Sequence, residues 1–265
     1  MKIFVLKRNH LIIYSLIALL TIGLISYNLV FDRRDKPVSV SNTTEELPIY
    51  CVDTQEKKIA ITFDCAWEDT DTDEIIAILE KYNAKATFFA VGEWLTRCEA
   101  SAKKYAEAGH EIMNHSDAHK YPTKQSKEEL LTDIAACGKK IEDITGKTPR
   151  LYRPPYGDYN ATVVKCAREA GYQTVQWSVD SLDWKDLTVE EIYKRTTTKI
   201  KPGDILLFHT GKKNTPAALD MTLNKLEGEG YSFVLASELV YEKDYTIDAN
   251  GVQKQALPSV IETFD

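Results

Sequence analysis

KKIAITFD, residues 57–64, decides the fold. It is a short apolar run rich in β-branched and aromatic side chains, and it stops on a carboxylate. A run of that length with no polar alternation reads as a strand buried on both faces, as in a parallel sheet. The form then recurs along the chain. EIMN precedes His115 and His119, LY precedes Arg153, TVQWSV leads to Asp183, and DILLF precedes His209. Helical stretches separate the runs. A chain that alternates strand and helix builds a parallel sheet or barrel, and residues at the C-terminal strand ends of such folds gather on one face.

Seven strands are expected, over 57–63, 86–91, 111–114, 151–153, 172–179, 204–208 and 232–235. Several helices between them carry their own start signals. Ser126 with Glu129, and Thr188 with Glu191, match the capping box, and Asp71 with Glu74 resembles one. Asn160 is placed to cap another helix, and Thr215-Pro216 opens the last long one. About seven βα steps make an α/β barrel or an incomplete one, spanning residues 51–245. The tail over 246–265 shows little pattern and is expected to be peripheral.

Residues 11–31, LIIYSLIALLTIGLISYNLVF, hold no charge, and about 20 apolar residues cross a bilayer as a helix. The expectation is a transmembrane anchor at 11–31, a cytoplasmic segment at 1–10, and a polar linker at 32–50. A cleaved signal peptide is the alternative, and either would export the domain. That gives a single-pass cell-membrane protein with its domain outside the cytoplasm, or a secreted one. Flanking charge sets the orientation poorly, because Lys2, Lys7 and Arg8 balance Arg33, Arg34 and Lys36. Residues 37–265 carry 27 basic and 38 acidic side chains, a net −11. An acidic domain without a basic stripe argues against nucleic acid. Oligomeric state leaves no trace in the sequence. The five Cys form no disulfide framework. Cys137 and Cys166 fall on apolar helix faces and read as core, whereas Cys51 and Cys98 are left open as a pair.

His115 and His119 have H-x3-H spacing, which suits a divalent metal. Two His four apart are by themselves as readily a surface pair, but their place after a strand and the total of five His favour a site. Asp64 at a strand end must be hydrogen-bonded, paired or near a metal. Arg153, before the rigid Pro-Pro-Tyr-Gly turn, can pin Asp64 by paired hydrogen bonds. Asp183 can orient and charge His209. An acid, a His pair, a cation, a second acid and a lone His make up the kit of a metal-assisted hydrolase.

These segments together resemble the polysaccharide deacetylase family (carbohydrate esterase family 4, the NodB-homology domain). ITFDCAWED is similar to its first motif, NHSDAH to its second, LYRPPYGDYN to its third, WSVDSLDW to its fourth and ILLFH to its fifth. The resemblance covers about residues 55–240 and implies a distorted (β/α) barrel. It implies Asp64 as general base, His115 and His119 as ligands of a divalent metal (zinc, with cobalt possible), and His209 as general acid held by Asp183. Arg153 would position the acidic network. The Tyr156 N–H would stabilise the oxyanion, and Trp184 and Leu207 would line a pocket for the acetyl methyl. The implied reaction is N-deacetylation of an acetamido-sugar polymer, with cell-wall peptidoglycan foremost. Chitin oligomers, exopolysaccharide and xylan remain alternatives, and a link to the sporulation-associated branch rests on little.

The sequence departs from the family's first motif at Cys65, which stands where a ligand Asp is usual. A thiolate can replace the carboxylate as a ligand, the metal can be held by two His and water or be absent, or the domain binds glycan without catalysis. A cysteine nucleophile at Cys65 is a remote fourth reading.

Overall fold

The computed structural model describes residues 46–256. The expected anchor at 11–31, its flanks, and the end of the tail lie outside the described residues. Among the described residues no helix is long and apolar enough to cross a membrane.

The chain order is β1 (Cys51–Val52), β2 (Lys58–Cys65), β3 (Ala86–Ala90), β4 (Glu111–Asn114), β5 (Leu151–Tyr152), β6 (Gln173–Thr174), β7 (Val179–Asp180), β8 (Ile205–His209), β9 (Ser232–Val234), β10 (Tyr245–Ile247) and β11 (Val252–Gln255). The main sheet runs β6-β5-β4-β3-β2-β8-β7, with β9 pairing beside β2, and all its pairs are parallel. Helices connect the successive strands of this sheet except β6 and β7, the longest over Lys127–Thr145 and Thr215–Gly228.

The expected strand over 172–179 is two strands, and the break closes the fold. β6 and β7 form opposite ends of the seven-strand path, yet only residues 175–178 join them. Such a linker reaches about 17 Å at most, whereas a flat sheet of seven strands is about 29 Å across. The sheet therefore curls into an incompletely closed barrel. Ile49 covers the seam: its N–H donates to the Thr174 carbonyl, and its own carbonyl accepts from the Gln176 N–H.

Strand alternation sorts the side chains into two layers. Ile59, Ile61, Phe63 and Cys65 of β2 face the helices, where they pack with Phe88, Trp94, Leu206 and Phe208. Ala60 faces inward with Phe89, Met113, Leu151, Val175 and Ile205. Both capping boxes form as the sequence suggests, at Ser126/Glu129 and Thr188/Glu191, and Asn160 caps through the Val163 N–H. Asp71 does not cap its own helix, Thr72–Lys81; its carboxylate accepts from the Gly211 N–H at 2.8 Å. The helix over Gly92–Arg97 is an addition to the sequence-based reading.

Residues 245–255 are part of the domain and not a tail. β10 and β11 pair antiparallel, and β11 pairs with β1 in a second sheet. The overlooked signal is Asn250-Gly251 between two short alternating runs, a hairpin pattern, with Gly251 at φ +76°. All five cysteines are free. Cys98 packs in the helix-side core, whereas Cys51 pairs into the second sheet.

Candidate active site

The register of β2 builds the site. Asp64 has Phe89 of β3 on one side and His209 of β8 on the other. One layer below on the same face, Thr62 lies beside Leu207. The C-terminal ends of three parallel strands thus bring a carboxylate and an imidazole together across neighbouring backbones. β4 ends at Asn114, so His115 follows at the same level, and its N–H donates to the Ala90 carbonyl. Arg153 leaves β5 at this level too, donating its N–H to the Asn114 carbonyl.

The buried Arg153 guanidinium organises the interior. Its Nη1 donates to Asp64 Oδ1 at 2.8 Å, and its Nη2 donates to Thr62 Oγ1 at 2.9 Å and the Gln176 carbonyl at 3.0 Å. It lies 4.0 Å over the Phe89 ring and 5.6 Å from the Trp177 ring. The Arg153 carbonyl accepts from His115 Nδ1 at 2.7 Å. That bond places the proton of neutral His115 on Nδ1, so its Nε2 lone pair faces Asp64 Oδ2 at 3.3 Å. Two acceptors at that separation want a proton or a cation between or beside them.

Burial alone would push the Asp64 carboxyl up, but His115, Arg153 and His209 outweigh it and hold the group below the usual carboxylate range. Asp64 is therefore a carboxylate at neutral pH. Burial keeps His115 below the ordinary His value. It takes His119 down to about 4, with the neighbouring His115 adding to the effect. Both rings are neutral at pH 7, the form that ligates metal. Their centroids are 5.0 Å apart. His119 adopts φ +50°, a left-handed conformation held by its N–H donating to Ser116 Oγ.

On the other side, His209 Nδ1 bonds Asp183 Oδ1 at 2.7 Å. The other Asp183 oxygen accepts from the His209 N–H at 2.8 Å and from Thr215 Oγ1 at 2.6 Å. Burial would lower the His209 pKa, but the bond and charge of Asp183, then Asp64 and Asp180, overcome it and raise it above the ordinary value. The imidazolium form is favoured, with Nε2–H turned from Asp183.

The structure thus brings Asp64, Arg153, His115, His119, Asp183 and His209 together, with Leu207 buried beside them. Tyr156 and Trp184 are exposed at the rim. Tyr156 stands at φ +61° after Pro154-Pro155, and its ring lies 4.6 Å from that of His119. Cys65 is not brought in. One residue beyond Asp64 on β2, it points to the opposite face and is fully buried among the helix-side core. Burial pushes its thiol well above the ordinary value, and its place among the helix-side core keeps the sulfur off the face that carries Asp64. Among the described residues no three His, Cys, Asp or Glu side chains gather as a metal-holding group. Two neutral imidazoles fit a divalent ion, but a third protein ligand does not stand with them. His110 is structural: it is buried, and its Nδ1 accepts from the Ala86 N–H.

Sequence reasoning passed over two rim residues. Tyr121 stacks on Tyr156 with centroids 4.2 Å apart. Trp67 lies 5.5 Å from His209 and 6.4 Å from His119. Trp67, Tyr121, Tyr156 and Trp184 are all exposed, whereas Asp64, His115, Asp183 and His209 are buried and His119 is half-buried. Aromatic rings clustered in this way around a polar floor suit the apolar faces of sugar rings.

A curled parallel barrel with a carboxylate and an imidazole–carboxylate pair at its strand ends is a hydrolase-type α/β scaffold. The polysaccharide deacetylase family model matches residues 52–175. A peptidoglycan-N-acetylglucosamine deacetylase of Bacillus cereus is 43% identical over 197 residues, covering 72% of this chain and 92% of that protein. The peptidoglycan-N-acetylmuramic acid deacetylase PdaA of Bacillus subtilis is 33% identical over 199 residues, covering 74% and 76%. Among solved structures, a CE4 family pseudoenzyme from Bacillus anthracis superposes with a TM-score of 0.71 at 31% identity, covering 79% of this chain and 73% of that one. A mutant of a pseudoenzyme in that family, described as having restored enzymatic activity, superposes equally well. The chain belongs to the polysaccharide deacetylase family.

Proposed function

We propose that this protein hydrolyses the N-acetyl group of an amino sugar in cell-wall peptidoglycan, releasing acetate and a free sugar amine. The observation that carries the reading is the pair of oppositely tuned groups on adjacent strands: Asp64 held as a carboxylate and His209 held toward imidazolium. These directions leave the carboxylate ionised and the imidazole able to hold a proton, the protonation states that a base and an acid need for amide hydrolysis. The names of the two Bacillus deacetylases support the substrate class.

Asp64 takes the proton of the attacking water at Oδ2, while Oδ1 stays bound to Arg153. His209 gives the Nε2 proton to the leaving nitrogen, and Asp183 keeps its ring oriented. The Tyr156 N–H, presented by the Pro-Pro turn, steadies the oxyanion. Leu207 and Trp184 flank the acetyl methyl. His115 and His119 would hold the divalent ion that the family generally uses, with zinc favoured by imidazole ligands and cobalt as a second choice. When bound, such an ion lowers the pKa of water and polarises the acetyl carbonyl. The apolar run at 11–31 would keep the domain at the outer face of the cell membrane.

Acetate release from peptidoglycan and from N-acetylglucosamine oligomers, before and after chelation and with zinc or cobalt restored, tests the proposal. Metal-dependent release is expected, and no release from a folded protein on any glycan would overturn it. A second reading, glycan binding without catalysis, draws on Cys65 facing the core and on the pseudoenzyme relative. In that case Cys65→Asp would still release nothing, while glycan binding would survive.

Asp183→Asn separates orientation from proton supply. In a carboxylate–imidazole pair of this kind the Asn substitution lowers kcat by up to about 10⁴-fold. The His209 pKa falls when the negative charge goes, so the alkaline limb of the rate profile should move to lower pH. A profile that keeps its alkaline limb would remove Asp183 from this role.

A further inference from the structure

Trp67 and Lys212 come from two loops that lock together at the rim. Lys212 Nζ lies 4.0 Å over the Trp67 ring, and the same ring neighbours the catalytic His209 and the proposed ligand His119. The ammonium and the reacting centre therefore share one aromatic neighbour. The Trp67 carbonyl accepts from Arg97 Nη2 at 3.0 Å, and the Ala66 carbonyl accepts from the same nitrogen at 3.3 Å. On the facing loop, the Gly211 N–H is held by the buried Asp71. Gly211 adopts φ +71°, and a Cβ there would lie 2.6 Å from the Glu68 carbonyl oxygen, so the loops pack backbone to backbone. Lys212 is half-buried, and no carboxylate pairs with it among the described residues.

A half-buried ammonium without a counter-ion, held in place by an aromatic face and by two interlocked loops, is prepared to receive an anion from outside. It belongs to a domain that is acidic overall, with residues 37–265 carrying a net −11. Such a surface repels polyanions at long range, so a cation here discriminates at contact distance and not by steering. A substrate bound at that centre would bring a charged substituent on the same or the next sugar toward the ammonium. The names of the relatives divide between an uncharged sugar, N-acetylglucosamine, and one carrying a lactyl carboxylate, N-acetylmuramic acid.

We infer that Lys212, held over Trp67, is a specificity-determining residue that binds a carboxylate on the substrate, so that the preferred glycan is an N-acetylated sugar bearing an acidic substituent. This rests on the deacetylase reading for its activity measurement and is independent of it for binding. The probe is one peptide-free glycan containing N-acetylmuramic acid, used with its lactyl carboxylate free or converted to the neutral methylamide. For wild type, kcat/KM for acetate release should favour the free acid about tenfold, the order expected of one charge-assisted hydrogen bond. Added salt should erode the preference. Lys212→Met should bring the acid-to-amide ratio close to one, and Lys212→Arg should restore most of it. A wild-type ratio near one, or a ratio unchanged in Lys212→Met, overturns the inference.

Calorimetric titration of the same two glycans separates the two possible failures. If neither releases acetate but wild type binds the free acid about tenfold more tightly and Lys212→Met does not, the carboxylate site stands and the deacetylase reading falls. Equal binding of both forms by wild type overturns the carboxylate site whatever the activity.

Discussion

Asp64→Asn should lower kcat by about 10³-fold, within the range that one general base supplies, while glycan affinity changes little. Nothing in the rim is altered: Trp67, Tyr121, Tyr156 and Trp184 still present their rings. The buried floor does change. The Asn oxygen can keep the bond from Arg153 Nη1 that Asp64 Oδ1 accepts at 2.8 Å. The amide nitrogen then faces His115 Nε2, where Asp64 Oδ2 lies at 3.3 Å, and an N–H there can donate to the lone pair. Packing is thus preserved, whereas the water loses its proton acceptor and His115 loses its free lone pair. The activity must be read below the melting temperature of the variant, because Arg153 also loses its counter-charge. A variant that releases acetate at close to the wild-type rate would remove Asp64 from the role of base. A variant that is inert and no longer binds glycan would mean a collapsed site and not a missing base.

The residues of this site were legible in the sequence because each ends an apolar run. Parallel strands place their C-terminal ends at one level, so Asp64, His115, Arg153 and His209 had to converge once the runs were read as one sheet. Register then did the finer work, setting His209 beside Asp64. The continuous strand expected over 172–179 failed for an instructive reason. Its β-branched and aromatic residues suit a strand throughout, but the barrel's seam falls inside it. Val175 packs inward under Ile49 and the half-buried Trp177 sits beside Arg153, so the break is a tertiary demand without a local mark. The hairpin over 245–255 was, in contrast, marked by Asn250-Gly251 and went unread.

Cys65 shows what a motif leaves out. Position in the chain left a ligand open as one of several readings, because Cys65 stands where the family's ligand Asp is usual. Alternation along β2 argues the other way, because Ile61 and Phe63 precede it on the helix-facing side. The sequence contained that pattern, and a period-two count from Phe63 would have found it. Trp67, Tyr121 and Lys212 carried no comparable signal. They lie in loops, where only the packing of one segment on another brings a ring or an ammonium to the site.

Arg153→Leu should be strongly destabilising. The guanidinium is fully buried, so Leu would fill part of the space between Phe89 and Trp177 without replacing any of three donated bonds. Asp64 would be left as a buried carboxylate without its cation, and Thr62 Oγ1 and the Gln176 carbonyl would each lose a donor. Removing one partner of a buried ion pair costs about 3–5 kcal/mol, which for a domain of this size is a fall of roughly 6–20 °C in Tm. The pH dependence has a definite sign. In wild type the Asp64 pKa is depressed, so its stabilising contribution is present above the unfolded carboxylate value and is lost as pH falls through the folded one. Without Arg153 much of the lowering charge is gone and burial weighs more, so Asp64 titrates higher and the acid limb of the rate profile moves up in pH. Arg153→Lys keeps a cation but not the planar fork, and should recover part of the stability. The double variant Arg153→Leu with Asp64→Leu leaves no charge alone in the core, and should be more stable than Arg153→Leu by itself although inert. Thermal unfolding of the two single changes and the double closes the cycle. Additive losses in that cycle would show that Arg153 and Asp64 do not act as a pair, and would remove the Arg153 charge as a cause of the low Asp64 pKa.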